Sequence, residues 1–202
     1  MTVAGLVLAA GEGRRFGRPK ALVSLGGELL VERAARTLAD AGCTPVVVVL
    51  GAAAREVVHA ADLGHAVVVV NEAWERGMGS SLCTGLFALR DLSADAAAVL
   101  LVDQPGVGQE TVRRLVEAWR PGLPAVLASY DGVPRNPAVL DASVWDEVMA
   151  AADGDIGARG WLRNHPDDVT VIACDDLGNA HDIDTPLDLD RLVAEPTVKD
   201  TR

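Results

Sequence analysis

Short unbroken apolar runs alternate along this chain with longer stretches in which apolar residues return every three or four positions. The runs Val3–Ala9, Pro45–Gly51, His65–Asn71, Ala97–Asp103 and Ala125–Ser129 predict buried strands, with a later strand at Val169–Cys174 and a short one at Ala138–Leu140. Helical spacing fits Leu29–Ala41, Ala52–Ala61, Ser80–Leu89, Gln109–Trp119, Ala142–Ala152 and Ile156–Asn164. Strands alternating with helices predict an α/β fold, a three-layer α/β/α sandwich around a mixed, mainly parallel sheet. Val46–Val49 and Val67–Val70 are continuous rather than alternating, as expected for strands covered on both faces. In such sheets ligands bind beyond the carboxyl ends of the strands. The least ordinary residues fall there: Gly11 to Lys20, Asn71 to Ser81, and Asp103.

Composition narrows the picture. The 202 residues suit one α/β domain, expected over residues 1–194, with a polar tail from Glu195 to Arg202. Half the residues are hydrophobic but only 3% are aromatic, so the expected core is aliphatic. A net charge of -11 argues against a general nucleic-acid or anionic-membrane binder, which needs basic excess. Cys43, Cys83 and Cys174 have neither disulfide-framework nor metal-ligand spacing and read as reduced thiols. The apolar run at the N-terminus is too short to span a bilayer and has no basic segment before it, so a soluble cytoplasmic protein is expected.

Against that acidic background one basic cluster stands out. After the first strand comes Leu8-Ala9-Ala10-Gly11-Glu12-Gly13-Arg14-Arg15-Phe16-Gly17-Arg18-Pro19-Lys20, with four basic side chains in seven residues. Glycines here let backbone N–H groups approach phosphate oxygens, and the basic groups neutralise them. No Lys-Ser or Lys-Thr sits where a P-loop requires it, and glycines at 11, 13 and 17 miss the G-x-G-x-x-G dinucleotide spacing by one residue.

The segment resembles the signature of the MobA-like NTP transferases: Leu-Ala-Ala-Gly, a second glycine, an arginine and a closing Pro-Lys. The resemblance continues through Asn71, Trp74 and Gly77-Met78-Gly79-Ser80-Ser81-Leu82, then Leu101-Val102-Asp103-Gln104-Pro105. It extends to Gly154-Asp155, Gly157-Ala158-Arg159 and Asp182-Ile183-Asp184-Thr185-Pro186, covering nearly the whole chain. Within the family the molybdenum cofactor cytidylyltransferases are most alike. The resemblance implies a GT-A-like nucleotidyltransferase fold of the nucleotide-diphospho-sugar transferase type. It implies that Leu8, Ala9, Ala10, Gly11, Gly13, Arg15 and Lys20 hold a nucleoside triphosphate, with Arg15 and Lys20 stabilising charge on the α-phosphate and on departing pyrophosphate. Arg14 and Arg18 fall at variable positions and read as rim charges.

The same resemblance places the base and ribose against Asn71, Gly79, Ser80 and Ser81, although either serine by itself would serve equally as a helix cap. It makes Asp103 the first magnesium ligand and Asp184 the second, since a hard cation takes carboxylate oxygens and leaves the rest of its octahedron to water and phosphate. By itself Asp103 reads as readily as a turn residue. Asp182 is expected on the same side of a short strand as Asp184. Asn136, Asp155 and Arg159 are implied on the acceptor side, with Arg159 receiving a phosphate and Asp155 capping the helix it opens. Related cytidylyltransferases commonly carry Gly-His-Pro where this chain has Arg135-Asn136-Pro137, so acceptor identity stays open. Ala10 favours CTP over GTP, because the guanylyl branch usually reads Leu-Ala-Gly-Gly. The implied partners are therefore CTP, a phosphorylated small-molecule acceptor of the molybdopterin type, and a molybdoenzyme that receives the product. Guanylyl transfer, sugar-phosphate or polyol-phosphate nucleotidyl transfer, a non-catalytic maturation chaperone and, last, a Rossmann dehydrogenase are the alternatives. His59, His65, His165 and His181 are scattered, and Trp119, Trp145 and Trp161 suit packing.

Overall fold

The computed structural model describes residues 1–194; the tail expected from Glu195 to Arg202 lies outside the described residues. The chain opens with strand β1 (Val3–Ala9), then a two-residue hairpin, β2 (Ser24–Leu25) and β3 (Glu28–Leu29), turned by Gly26-Gly27. Helix α1 (Leu30–Asp40) follows, its first turn closed by Glu32, whose carboxylate accepts the Leu29 N–H at 2.8 Å. Next come β4 (Val46–Leu50), α2 (Ala54–Ala60), β5 (Val67–Val70), α3 (Met78–Asp91), β6 (Ala96–Leu101) and α4 (Gln109–Ala118). The second half holds β7 (Ala125–Tyr130), β8 (Val133–Asp141), α5 (Trp145–Ala151), α6 (Arg159–Asn164), β9 (Val169–Ala173) and α7 (Pro186–Ala194).

Seven strands form one sheet in the order β5-β4-β1-β6-β8-β7-β9, parallel throughout except for β8. One face packs against α1, α2, α4 and α7, the other against α3, α5 and α6, which gives the expected three layers. The central strands are buried along their whole length, as unbroken Ala, Val and Leu runs require. Trp119, Trp145 and Trp161 are all buried, in keeping with packing roles.

Several expectations need correction. Val67–Val70 is not covered on both faces: β5 is an edge strand, with Val67, Val68 and Val70 each 36–44% exposed. Helix α2 spans only seven residues and gives the core only Val57, too little to cover that edge. The short strand at Ala138–Leu140 is the inner part of the nine-residue β8, whose outer half holds Pro134, Arg135 and Asn136 and has no apolar pattern to read. The helix expected from Ile156 begins at Arg159, because Gly157, at φ +56°, turns the chain just before it. The β2–β3 hairpin and α7 were not anticipated.

Candidate nucleotide site

The carboxyl ends of β1, β4, β5 and β6 converge on one edge of the sheet, and the loops leaving them carry most of the singled-out residues. The loop after β1 folds over on Gly13, whose carbonyl accepts the Phe16 and Gly17 N–H groups at 3.0 and 2.8 Å. Gly13 has φ +69°, and a Cβ there would lie 1.9 Å from the Arg18 carbonyl oxygen, so no other residue can hold this turn. At Gly11 a Cβ would meet nothing within 4 Å, which leaves the backbone open to an approaching ligand. Leu8 and Ala9 are buried in β1. Ala10 is buried too: a Cβ on Gly51 would sit 2.8 Å from the Ala10 methyl, so that methyl packs sideways against the end of β4.

The loop delivers Lys20 to two carboxylates. Lys20 Nζ donates to Asp103 Oδ2 at 2.8 Å and to Asp184 Oδ1 at 2.7 Å, and Arg15 Nη1 lies 2.9 Å from Asp184 Oδ2. The Lys20 side chain is only 15% exposed. Burial by itself works against its ammonium, but Asp103 first and then Asp184 more than offset this, and its pKa is raised above the ordinary lysine value. Arg14 pairs with Glu12 at the rim and Arg18 is exposed, as expected of peripheral charges.

Asp103 lies two residues past β6, and its carbonyl accepts the Ile183 N–H at 2.8 Å. That bond fixes the Asp182–Asp184 segment beside it. The segment has no strand geometry, so strand alternation does not orient its side chains. Asp184 turns to Lys20, whereas Asp182 Oδ1 accepts from Gln104 Nε2 at 2.8 Å. Burial, with Asp103 and Asp184 nearby, raises the Asp182 pKa despite the Gln104 hydrogen bond. Two supporting residues are given no role by the sequence reading, Gln104 although it lies in a motif and Asp188 altogether. Gln104 is buried and clamps the 180–182 segment, its Oε1 having no partner among the described residues. Asp188 accepts from the Thr185 N–H and hydroxyl, both at 2.8 Å, and from the Asp184 N–H at 3.2 Å. A signal for Asp188 exists: Thr185-Pro186-Leu187-Asp188 has the spacing of a capping box at the head of α7.

After β5, Asn71 is buried and donates from Nδ2 to the hydroxyls of Ser80 at 2.8 Å and Ser81 at 3.0 Å. Neither serine caps α3, because Gly77 occupies that position and both serines lie inside the first turn. The head of α3 is instead met by the loop of residues 154–155. Gly79 N–H donates to the Gly154 carbonyl at 2.8 Å, and Met78 N–H reaches Asp155 Oδ1 at 3.3 Å. Asp155 therefore sits at the start of α3 rather than capping its own helix. Arg159 Nη2 comes only to 3.5 Å of the Asp155 carbonyl, and Asn136, in β8, joins neither.

Lys20, Arg15, Asp103 and Asp184 are thus brought together, Asn71 with Ser80 and Ser81 form a second group, and Asn136, Asp155 and Arg159 do not converge. Oxygen donors of this kind suit a hard divalent cation. Among the described residues no group of three or more His, Cys, Asp or Glu is arranged to hold a metal, so two carboxylates would need phosphate and water to complete a shell.

The family model described as the MobA-like NTP transferase domain matches residues 5–169, including the loop, Asn71–Ser81 and Asp103. The chain belongs to the MobA-like NTP transferase family. Its similarity to the nicotine blue oxidoreductase of Paenarthrobacter nicotinovorans is 43% identity over 199 residues, 95% of this chain and 96% of that protein. It is 37% identical to a probable molybdenum cofactor guanylyltransferase of Opitutus terrae over 134 residues, 64% of this chain and 62% of that one. Among solved structures, Rv0371c of Mycobacterium tuberculosis superposes with a TM-score of 0.83 at 29% identity, covering 96% of this chain and 99% of that one. A manganese complex of the same protein gives 0.82 at 27% identity, over 97% and 100% of the two chains. No described helix is long and apolar enough to cross a membrane.

Proposed function

We propose that this protein, acting as one domain over residues 1–194, transfers a nucleotidyl group from a nucleoside triphosphate to a phosphorylated acceptor. The observation that carries the reading is the convergence of Lys20, Arg15, Asp103 and Asp184, the first two delivered by the loop that opens at Gly11. An acceptor phosphate oxygen attacks the α-phosphorus, the bond from that phosphorus to the bridging oxygen breaks, and pyrophosphate leaves with the electron pair. Lys20 and Arg15 stabilise the charge that accumulates on the phosphoryl oxygens and on the leaving group. Leu8, Ala9, Gly11 and Gly13 supply backbone around the phosphates. Asn71 sets Ser80 and Ser81, with Gly79, along the base and ribose. Asp103 and Asp184 would hold a magnesium ion, which when bound polarises the phosphoryl oxygens and neutralises the triphosphate.

The finer reading takes CTP as donor and a molybdopterin-type cofactor as acceptor, in the cytoplasm, with the product passed to a molybdoenzyme; Arg159, Asp155 and Asn136 would face the acceptor. Guanylyl transfer is the alternative within the family, favoured by the Opitutus relative's name. Ala10→Gly tests the base: the methyl holds the wall at the end of β4, and removing it should shift turnover from CTP toward GTP. An unchanged CTP-to-GTP ratio sinks that idea. The central experiment is a pyrophosphate-release screen of four NTPs against candidate phosphorylated acceptors. Magnesium-dependent release supports transfer, whereas nucleotide binding without release, preserved in Asp103→Ala, would point to a maturation chaperone.

A second reading follows from one observation, the 43% identity to a nicotine blue oxidoreductase along nearly the full length of both chains. On it the same phosphate cradle would hold the diphosphate of a reduced nicotinamide dinucleotide that donates hydride to a dye. Oxidation of NADH or NADPH in the presence of such a dye, without pyrophosphate release, would establish it over nucleotidyl transfer.

A further inference from the structure

The cation and anion sites of this protein occupy each other. Asp103 Oδ2 and Asp184 Oδ1 both point at one position, and the group at that position is the Lys20 ammonium, 2.8 and 2.7 Å away. The second Asp184 oxygen is taken by Arg15 at 2.9 Å. Two positive groups thus neutralise two carboxylates, and because the Lys20 pairs are half-buried, removing one partner costs more than it would at the surface. A divalent cation held by the same two carboxylates competes with that ammonium for Asp103 Oδ2 and Asp184 Oδ1. A triphosphate needs Lys20 and Arg15, which are already committed to carboxylates.

Nothing else in the site relieves this conflict. Asp182, a further carboxylate in the same segment as Asp184, has Oδ1 held by Gln104. Among the described residues no third metal-holding side chain is placed to build a cation site that the protein could fill by itself. Two oxygens already occupied by a lysine make a poor site for a free ion.

We propose, on the nucleotidyl-transfer reading, that triphosphate and divalent cation enter by exchange of ion pairs. Phosphate oxygens draw Lys20 and Arg15 off the carboxylates, and Asp103 and Asp184 pass to the cation. Each ligand alone must break these pairs without the other's compensation, so each binds weakly alone and strengthens the other by the same factor. Lys20 is then a placeholder cation that keeps two carboxylates neutralised and positioned before the nucleotide arrives.

The test uses the full chain and Mn2+ as probe, with binding followed by electron paramagnetic resonance of the free ion and, independently, by thermal shift. Wild type should bind Mn2+ weakly by itself, and an α,β-methylene analogue of CTP or GTP should bind at least about tenfold tighter with Mn2+ than without. Lys20→Gln should bind Mn2+ alone about tenfold or more tighter than wild type. Lys20→Arg, which keeps the positive charge, should stay as weak as wild type. Wild type binding Mn2+ alone as tightly as Lys20→Gln overturns the exchange, as does analogue binding indifferent to Mn2+. Should Lys20→Gln not fold, the wild-type analogue measurement still decides. The reading beneath it fails differently: no analogue binds under any condition and no pyrophosphate is released, while the effect of Lys20→Gln on Mn2+ alone is still measurable.

Discussion

Beyond the ends of β1 and β6, four charged side chains meet within 3 Å of one another's donors and acceptors, Arg15 and Lys20 from the loop after β1, Asp103 from the loop after β6 and Asp184 from the segment before α7. The residues implied for the acceptor, Asn136 in β8 with Asp155 and Arg159 in the 154–159 segment, are not brought together. The first arrangement is over-determined: Gly13 shapes the loop that carries Lys20, the Asp103–Ile183 backbone bond places Asp184, and Asp188 braces the turn after it. The second is held only through the head of α3, where Gly154 and Asp155 satisfy backbone N–H groups. Phosphate chemistry is common to a whole family and calls for a rigid charged cradle. An acceptor differs from enzyme to enzyme, and a surface that receives it is under no comparable demand to be fixed before it binds.

The largest effect expected from breaking this contrast is at its rigid end. Asp103→Asn keeps the shape but removes a charge that pairs with Lys20, and on the proposed reading pyrophosphate release should fall about a thousandfold. A loss below about tenfold would remove Asp103 from the chemistry. Gly13→Ala should come next, because the added methyl must displace the Arg18 carbonyl and occupy a left-handed backbone, itself a cost of about 1–2 kcal/mol. The melting temperature should drop by several degrees and nucleotide binding should weaken with it. Gly11→Ala, where a Cβ meets nothing, should fold normally and lose nucleotide alone, so equal melting temperatures with unequal binding separate shape from contact.

At the loose end the expected effect is smaller and confined to one substrate. Among the described residues Arg159 has no side-chain partner to lose, so on the proposed reading Arg159→Ala should leave stability and the KM for NTP unchanged. Loss of one charge-assisted hydrogen bond should raise the KM for the phosphorylated acceptor by about tenfold. An equal rise in both KM values would mean that the two groups of residues are not separable.

This division also explains what could be read from the sequence. The central strands were legible because Ala4–Leu8, Val46–Leu50 and Ala96–Leu101 are apolar on both faces, a pattern with one common explanation. The same logic misled at Val67–Val70, since a valine run reports strand propensity and not whether a helix lies over it. Strand β8 was read only in part because its outer residues, Pro134 to Asn136, face solvent and carry no periodicity. In the site, Lys20, Arg15, Asp103 and Asp184 stood out as residue types that phosphate and metal chemistry require. Gln104 did not, because its work is to hold Asp182, and a buried amide linking two loops has no signature until the loops are seen together. The partners of Asp155 were misjudged for a like reason: the helix it caps lies 77 residues away in sequence.

The smallest expected effect tests whether the rigid end is held at a cost to the fold. Asp182 is desolvated beside Asp103 and Asp184, and its pKa is raised above the usual aspartate value of 3.8. A raised carboxylate pKa means that the folded state binds its proton more tightly than the unfolded state does. Below pH 3.8 both states are protonated and Asp182 is neutral to stability. As the pH rises from 3.8 towards the higher folded pKa, the unfolded state gives up its proton first, and the penalty that builds over this window persists to neutrality. Asp182→Asn keeps an oxygen to accept from Gln104 but cannot ionise. Its melting temperature should therefore match wild type near pH 3 and exceed it slightly at pH 7, with the gap opening between the two. Solvent reaches this side chain, so the gain is smaller than for a fully buried group. A gap already present at pH 3, or a loss at pH 7, would mean that the Gln104 clamp rather than the charge governs the turn, and that the carboxylates at this edge are not crowded against the stability of the protein.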